Sequence, residues 1–333
     1  MEKNHGGFHG IKPFFCGALA LALPICAAAA AQGPAANYPE RAVKLIVPFP
    51  PGGPNDTSSR VFASHLANVL KRSVYVENVA GANGRIGSKT AAKASPDGYS
   101  LLVGSTNLNV VLPALNKNLD YDPVKDFIPI AAFSSDSLIM AVSPGLPVNS
   151  VQEFVSYAKA KPGKISAGGA SGIAPHFAIE MFKQLTATDI LFVPYKGGGP
   201  AILDLIGGHI QMTFNNKSAL LPYIQSGKVK AIAVTGTRRQ AEIPNVPTMD
   251  EVGLAGMPST SYYGLMAPAG TPPEIVEKLK RAVATVSKSA EARAAFANLG
   301  VDPDVSDIDF GAVLARQRVE WESIVARTGI KAE

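Results

Sequence analysis

The stretch PFPPGGPNDTSSR at positions 48–60 holds the residues with the clearest capacity for chemistry. Adjacent Gly52 and Gly53 let the backbone approach another molecule closely, and a helix following them presents its first amide N–H groups unpaired. Such amides carry partial positive charge and hold a carboxylate or phosphate without help from lysine or arginine. Asn55, Asp56, Thr57 and Ser58 are all candidate N-caps for that helix. The device recurs where Gly197, Gly198 and Gly199 follow a strand ending near Tyr195, and again where Gly168, Gly169, Ala170, Ser171 and Gly172 precede a helix from Pro175. A glycine pair between strand and helix also occurs with no ligand at all, so one loop decides nothing. Three of them at strand ends point to an anion site, because open α/β sheets bind ligands at the carboxyl ends of their strands.

Other chemistries fail on spacing. The run GANGRIGSKT at 81–90 ends in a Lys-Thr pair, but a phosphate loop needs glycine at 83 and 88, where Asn83 and Ser88 stand. Ser171 has Gly169 before it but Ile173 where a hydrolase elbow requires glycine. His65, His176 and His209 do not pair at metal-ligand spacing, so no metal site is expected. His176 opens a helix behind a glycine loop, where it either donates to a ligand or caps its own backbone. No nucleophile with a base and no clustered acid pair is present, so the expectation is a protein without catalysis and without a cofactor.

The elements that position these loops alternate between strand and helix, the pattern of an α/β protein with mostly parallel sheets. Strands are expected at 43–48, 74–79, 100–104, 138–142, 165–167, 190–194, 210–215, 229–235 and 262–267. Helices are expected from a cap among 55–58 through Val61, Phe62, Leu66, Val69 and Leu70, then at 84–94, 151–160, 175–184, 200–206 and 219–226. Three more close the chain at 273–288, 291–299 and 310–327. Two returns between sheets, near 138–142 and 262–267, make a hinge rather than a tether.

The first residues read as a secretory leader: Lys3 and Lys12, then an apolar run to Cys26 too short to anchor in a bilayer, then Ala29-Ala30-Ala31 as a cleavage site. Ile25 stands where lipoprotein processing takes a small residue, which argues against lipidation of Cys26. Cys16 and Cys26 are the only 2 cysteines, and both fall in this leader, so the mature chain has no thiol and no disulfide. Basic residues are scattered and the formal charge is only +5, which disfavours nucleic acid as a partner and is compatible with an anionic ligand.

Several motifs in order, PFPPGGPND, SPDGYSLL at 95–102, VPYKGGGPA at 193–201, MAPAGTP at 266–272 and Glu320-Trp321 in the tail, make the chain similar to the tripartite tricarboxylate transporter receptors, the Bug family of periplasmic solute-binding proteins. The resemblance runs from about Tyr38 to the C-terminus. It implies a two-lobed, type II-like Venus flytrap with lobes at 38–139 plus 260–333 and at 140–259, after a leader at 1–31. It further implies a monomer that takes a small carboxylate, a dicarboxylate or an aromatic one, to the large and small membrane subunits of a transporter. The alternative partner is a membrane sensor kinase. Carried over residue by residue, the ligand site is Gly52, Gly53, Asn55, Asp56, Ser105 and Thr106 in one lobe. Ser171, Gly172, His176, Tyr195, Gly197, Gly198 and Asn215 face them in the other. Three departures stand out: Ile173-Ala174-Pro175 where relatives are more polar, Asn215 where aspartate is common, and Tyr262 at a tryptophan position. They favour an anion with an apolar body over an ammonium-bearing amino acid.

Overall fold

A computed structural model of the chain describes residues 10, 37–116, 118–236, 238–257, 260–305 and 307–330. The expected leader, Gly10 apart, lies outside them. The elements in order are β1 (Val43–Val47), α1 (Pro54–Leu70), β2 (Val74–Asn78), α2 (Arg85–Ala92), β3 (Ser100–Ser105), α3 (Leu112–Leu115), β4 (Phe127–Asp136), β5 (Leu138–Val142), α4 (Val151–Lys159), β6 (Ile165–Ala170) and α5 (Ala174–Thr186). There follow β7 (Ile190–Tyr195), α6 (Gly198–Ile206), β8 (Met212–Asn216), α7 (Lys217–Gln225), β9 (Lys230–Val234), β10 (Ser261–Pro268), α8 (Pro273–Lys288), α9 (Ala290–Asn298) and α10 (Phe310–Thr328). Among the described residues no helix is long and apolar enough to cross a membrane.

Two sheets result, in the orders β2-β1-β3-β10-β4 and β7-β6-β8-β5-β9. Each is mixed. Parallel ladders join β1 to β2 and β3, and β6 to β7 and β8. Antiparallel ones join β10 to β3 and β4, and β5 to β8 and β9. The chain leaves the first sheet at the end of β4, Asp136, and enters the second at Leu138, the start of β5, with Ser137 alone between them. It returns between β9 and β10. Because β4 runs the same way as β3, and β5 starts beside the end of β8, both passages lie at the edge where the parallel strands end. The carboxyl ends of the two sheets therefore face each other across the crossing.

Burial explains the layers. Val43, Leu45, Ile46 and Val47 are all buried, as a central strand covered on both faces requires. Phe62 and Leu66 of α1 and Ile275, Leu279, Val283 and Val286 of α8 recur at helical spacing and share one core with Phe133 and Phe296. Phe62 stacks on Phe133 at 4.2 Å. The last helix behaves differently: Trp321 of α10 meets Phe177 of α5 edge-on at 5.1 Å, so the C-terminal helix packs against the layers of both sheets.

Several boundaries differ from expectation for physical reasons. The N-cap of α1 is Gly53, not one of 55–58, because Pro54 takes the first helical position and needs no N–H there. Gly168, Gly169 and Ala170 are strand, not loop, paired with Val193, Pro194 and Tyr195. Gly198 and Gly199 form the first turn of α6. The longest strand, β4, is absent from the sequence reading: Pro129 and the run Ser134-Ser135-Asp136 break its alternation, and it is held by pairing to the distant β10.

Candidate functional site

The first loop is shaped by one carboxylate. Asp56, 3 % exposed, accepts from the Gly52 N–H at 2.9 Å, from Arg60 Nε at 3.0 Å and from Asn78 Nδ2 at 2.9 Å. Asn78 also donates to Phe49 O at 3.1 Å, so β2 anchors the loop at both ends. Burial pushes the Asp56 carboxyl up, but the hydrogen bonds from Arg60, Gly52 and Asn78 outweigh it and hold the group below its ordinary value. Asp56 thus faces its own loop, and its role is to aim backbone. Gly52 has φ +86°, a conformation that favours glycine, and open space where a side chain would stand. Asn55 is nearly buried, and its Oδ1 has no partner among the described residues.

Behind it, Ser105 and Thr106 are each 1 % exposed and tie the first sheet together. Ser105 Oγ accepts from the Leu108 N–H at 3.3 Å. Thr106 donates to Gln317 of α10 at 2.8 Å and accepts from the Tyr262 N–H at 3.0 Å. The π-helical turn Asn107–Val111 that follows carries Asn107 to the other sheet, where its Oδ1 accepts from the Ala174 N–H at the start of α5 at 3.3 Å.

On the facing side, Ser171 and Gly172 form the turn into α5. The Gly172 N–H donates to His176 Nδ1 at 3.2 Å, which leaves the neutral ring's proton on Nε2. The imidazole lies flat on Phe192 at 4.0 Å. Gly172 has φ +70°, and Asn83 Nδ2 of the first sheet's layer lies 3.9 Å from where its Cβ would be. Tyr195 donates to Asp204 of α6 at 2.6 Å; burial and that carboxylate push its phenol up to about 12. Asn215 donates to Gly198 O at 3.1 Å and accepts from the Asn216 N–H at 2.9 Å. A Cβ on Gly198 would stand 2.5 Å from Asn215 Oδ1, whereas Gly197, with extended backbone, has nothing within 4 Å.

The chemistry therefore resides in helix termini. The N-caps of α1, α5 and α6 are Gly53, Ile173 and Gly197, and none supplies a side-chain hydrogen bond. Elsewhere α4, α9 and α10 are capped by Ser150, Ser289 and Asp309, while α2, α3, α7 and α8 also lack a side-chain cap from their N-cap residues. At α1 and α6 the first amides stay available, the arrangement that receives an anion, whereas at α5 Asn107 takes the Ala174 N–H and Pro175 has none. Among the described residues no three His, Cys, Asp or Glu side chains gather to hold a metal.

The residues named from sequence all fall at the ends of β1, β3, β6, β7 and β8 or on the helix starts behind them. The long-range partners Asn78, Asn83, Asn107, Phe192, Asp204 and Gln317 were not anticipated. Arg60 carried a faint signal, four residues after Asp56 on one helix.

Comparison with known proteins places the chain in a family. Residues 58–330 match the model of the tripartite tricarboxylate transporter family receptor. The chain is 35% identical over 305 residues to protein BugT of Bordetella pertussis, covering 91% of this chain and 94% of that one. An R. palustris protein solved with adipate superposes with a TM-score of 0.80 at 31% identity, covering 88% of this chain and 99% of that one. MatC from Rhodopseudomonas palustris, solved with bound malate, gives 0.75 at 30% identity, covering 86% and 100%.

Proposed function

The chain belongs to the tripartite tricarboxylate transporter receptor family, and from that premise we propose that it captures a small carboxylate between its lobes in the periplasm and delivers it to the large and small membrane subunits of such a transporter. The observation that carries this reading is the pair of helix starts without a side-chain cap, α1 from one sheet and α6 from the other, at facing strand ends. The open space at Gly52 and Gly197 leaves room for a bound group beside those amides.

In this reading the ligand's carboxylate oxygens accept from the first amides of α1 and α6, with bridging water where the fit is loose. Hydrogen bonds to a charged group are worth roughly 1.5–3 kcal/mol each, more as closure excludes water. Asp56, Asn78 and Asn215 hold the loops, and Ser105 and Thr106 brace the edge from which the first loop springs. Closure adds contacts across the lobes of the kind made by Asn107 with Ala174 and by Gln184 with Arg327 O at 2.9 Å. The ligand favours the closed form because only that form offers it both loops.

Asn215 is neutral and already donates to Gly198, so position 215 offers no carboxylate to an ammonium group. Ile173 and Phe192 add apolar surface close to His176. These features support a di- or aromatic carboxylate over an amino acid. A thermal-shift screen of the mature chain against dicarboxylates, tricarboxylates, aromatic carboxylates and amino acids tests this, since a ligand of the folded state raises the melting temperature. Shifts from carboxylates without an amino group are expected; equal shifts from aspartate would overturn the ligand class.

A further inference from the structure

Asp136 is the last residue of β4, at the point where the chain passes from one sheet to the other. It is 1 % exposed, yet its partners all come from the second sheet's layer. Its Oδ2 accepts from Ser218 Oγ at 2.6 Å and from Asn216 Nδ2 at 3.1 Å; its Oδ1 takes the Ser218 N–H at 3.4 Å. The neighbouring Lys217 N–H donates to Ser137 O at 2.8 Å. The start of α7 is thereby pinned to the crossing, and Gly300, after α9, closes over it with Ser218 Cα 3.0 Å from its would-be Cβ.

The connection continues. Asn216 is held by Asp136 through its side chain and by Asn215 Oδ1 through its backbone N–H, and Asn215 donates in turn to Gly198 O. A carboxylate at the hinge is thus joined, through two consecutive asparagines, to the loop that begins α6.

We infer that Asp136 is a positioning residue for ligand capture, fixing the 197–199 loop through Asn216 and Asn215 so that the second grip is set by the hinge. This rests on the reading of that loop as a ligand grip, but the link itself is testable without any ligand. The groups that face the carboxyl are Lys217 of α7, itself paired with Glu242 at 2.8 Å, and the phenol of Tyr263 on β10. Burial pushes the Asp136 carboxyl up to about 6, against the hydrogen bonds of Ser218 and Asn216 and the charge of Lys217. An opening that wets it restores its ordinary lower value, so opening becomes harder as pH falls through about 6.

Amide hydrogen exchange of the unliganded full chain tests this. Asp136→Ala is expected to speed exchange at 202–206 of α6 and 221–225 of α7 by roughly five- to tenfold, while 58–62 of α1 stays unchanged. Ser218→Ala, a milder change, moves the same segments in the same direction. In an Asn215→Ala background the Asp136 change adds nothing at 202–206. Corrected for intrinsic rates, exchange at 202–206 in the natural chain slows from pH 7 to pH 5, and Asp136→Asn loses that slope. Unchanged exchange at 202–206 in Asp136→Ala and Ser218→Ala would overturn the link, as would an equal rise at 58–62. Either failure leaves ligand capture to be judged by the thermal-shift screen.

Discussion

The loop after β1 and the loop after β7 follow one plan and are held by different chemistry. The first is fixed by a charged hub, Asp56 with Arg60, Asn78 and the Gly52 N–H, all within its own sheet's layer. The second is fixed by neutral donors, the Asn215 amide on Gly198 O and the Tyr195 phenol on the Asp204 carboxylate, without an ion pair of its own, and it is tied on through Asn215 and Asn216 to Asp136. A loop tied down locally by charge is aimed before ligand arrives. One tied through the hinge takes its aim from the angle between lobes. Such a division suits a clamp in which one jaw is rigid and the other reports closure.

The difference is most sharply broken by Asp56→Ala. It leaves three donors without their acceptor and should cost about 2–3 kcal/mol in urea unfolding, with affinity for the best carboxylate down at least about tenfold. The same group sets the acid side. Its folded pKa lies below its unfolded one, so its stabilisation is full above the unfolded value and lost as pH falls through the folded one. The natural chain should therefore lose more stability than Asp56→Asn below about pH 4. Gly198→Ala strikes the second loop: a methyl 2.5 Å from Asn215 must displace that side chain, at about 1–2 kcal/mol, and should weaken binding as well. Tyr195→Phe removes one bond to Asp204 and should cost about 1 kcal/mol, with under about threefold change in affinity. Gly197→Ala should leave stability within about 0.5 kcal/mol, since backbone and packing both admit it, yet calorimetry should register a loss of ligand affinity because the methyl enters the space offered to the ligand. That last pair of readings separates a glycine kept for the fold from one kept for a bound group.

Reading the sequence located the loops because their signals are local: glycines, a proline at the helix start and apolar spacing within a few residues. It also gave α8 its limits, where Pro273 opens a helix with strong periodicity. What holds the loops was not legible. Asn78 lies 22 residues from Asp56 and Gln317 lies 211 from Thr106, and nothing in either residue's neighbours announces its partner. Asp136 is one aspartate after two serines until β4 is placed at the crossing, and β4 was itself hidden by those serines and by Pro129. Side chains assigned to the ligand from family likeness, Asp56, Thr106, Tyr195 and Asn215, are all engaged with other groups of the protein. Type and position were readable there, but direction required the fold.

The central claim, a carboxylate held by backbone amides of both loops, is tested most directly by a crystal structure of the mature chain with the carboxylate that raises its melting temperature most. Carboxylate oxygens are expected about 2.7–2.9 Å from first-turn amide nitrogens of α1 and α6. A ligand seated instead in the cavity at the hinge, among Arg238, Gln240 and Asp302, would contradict it.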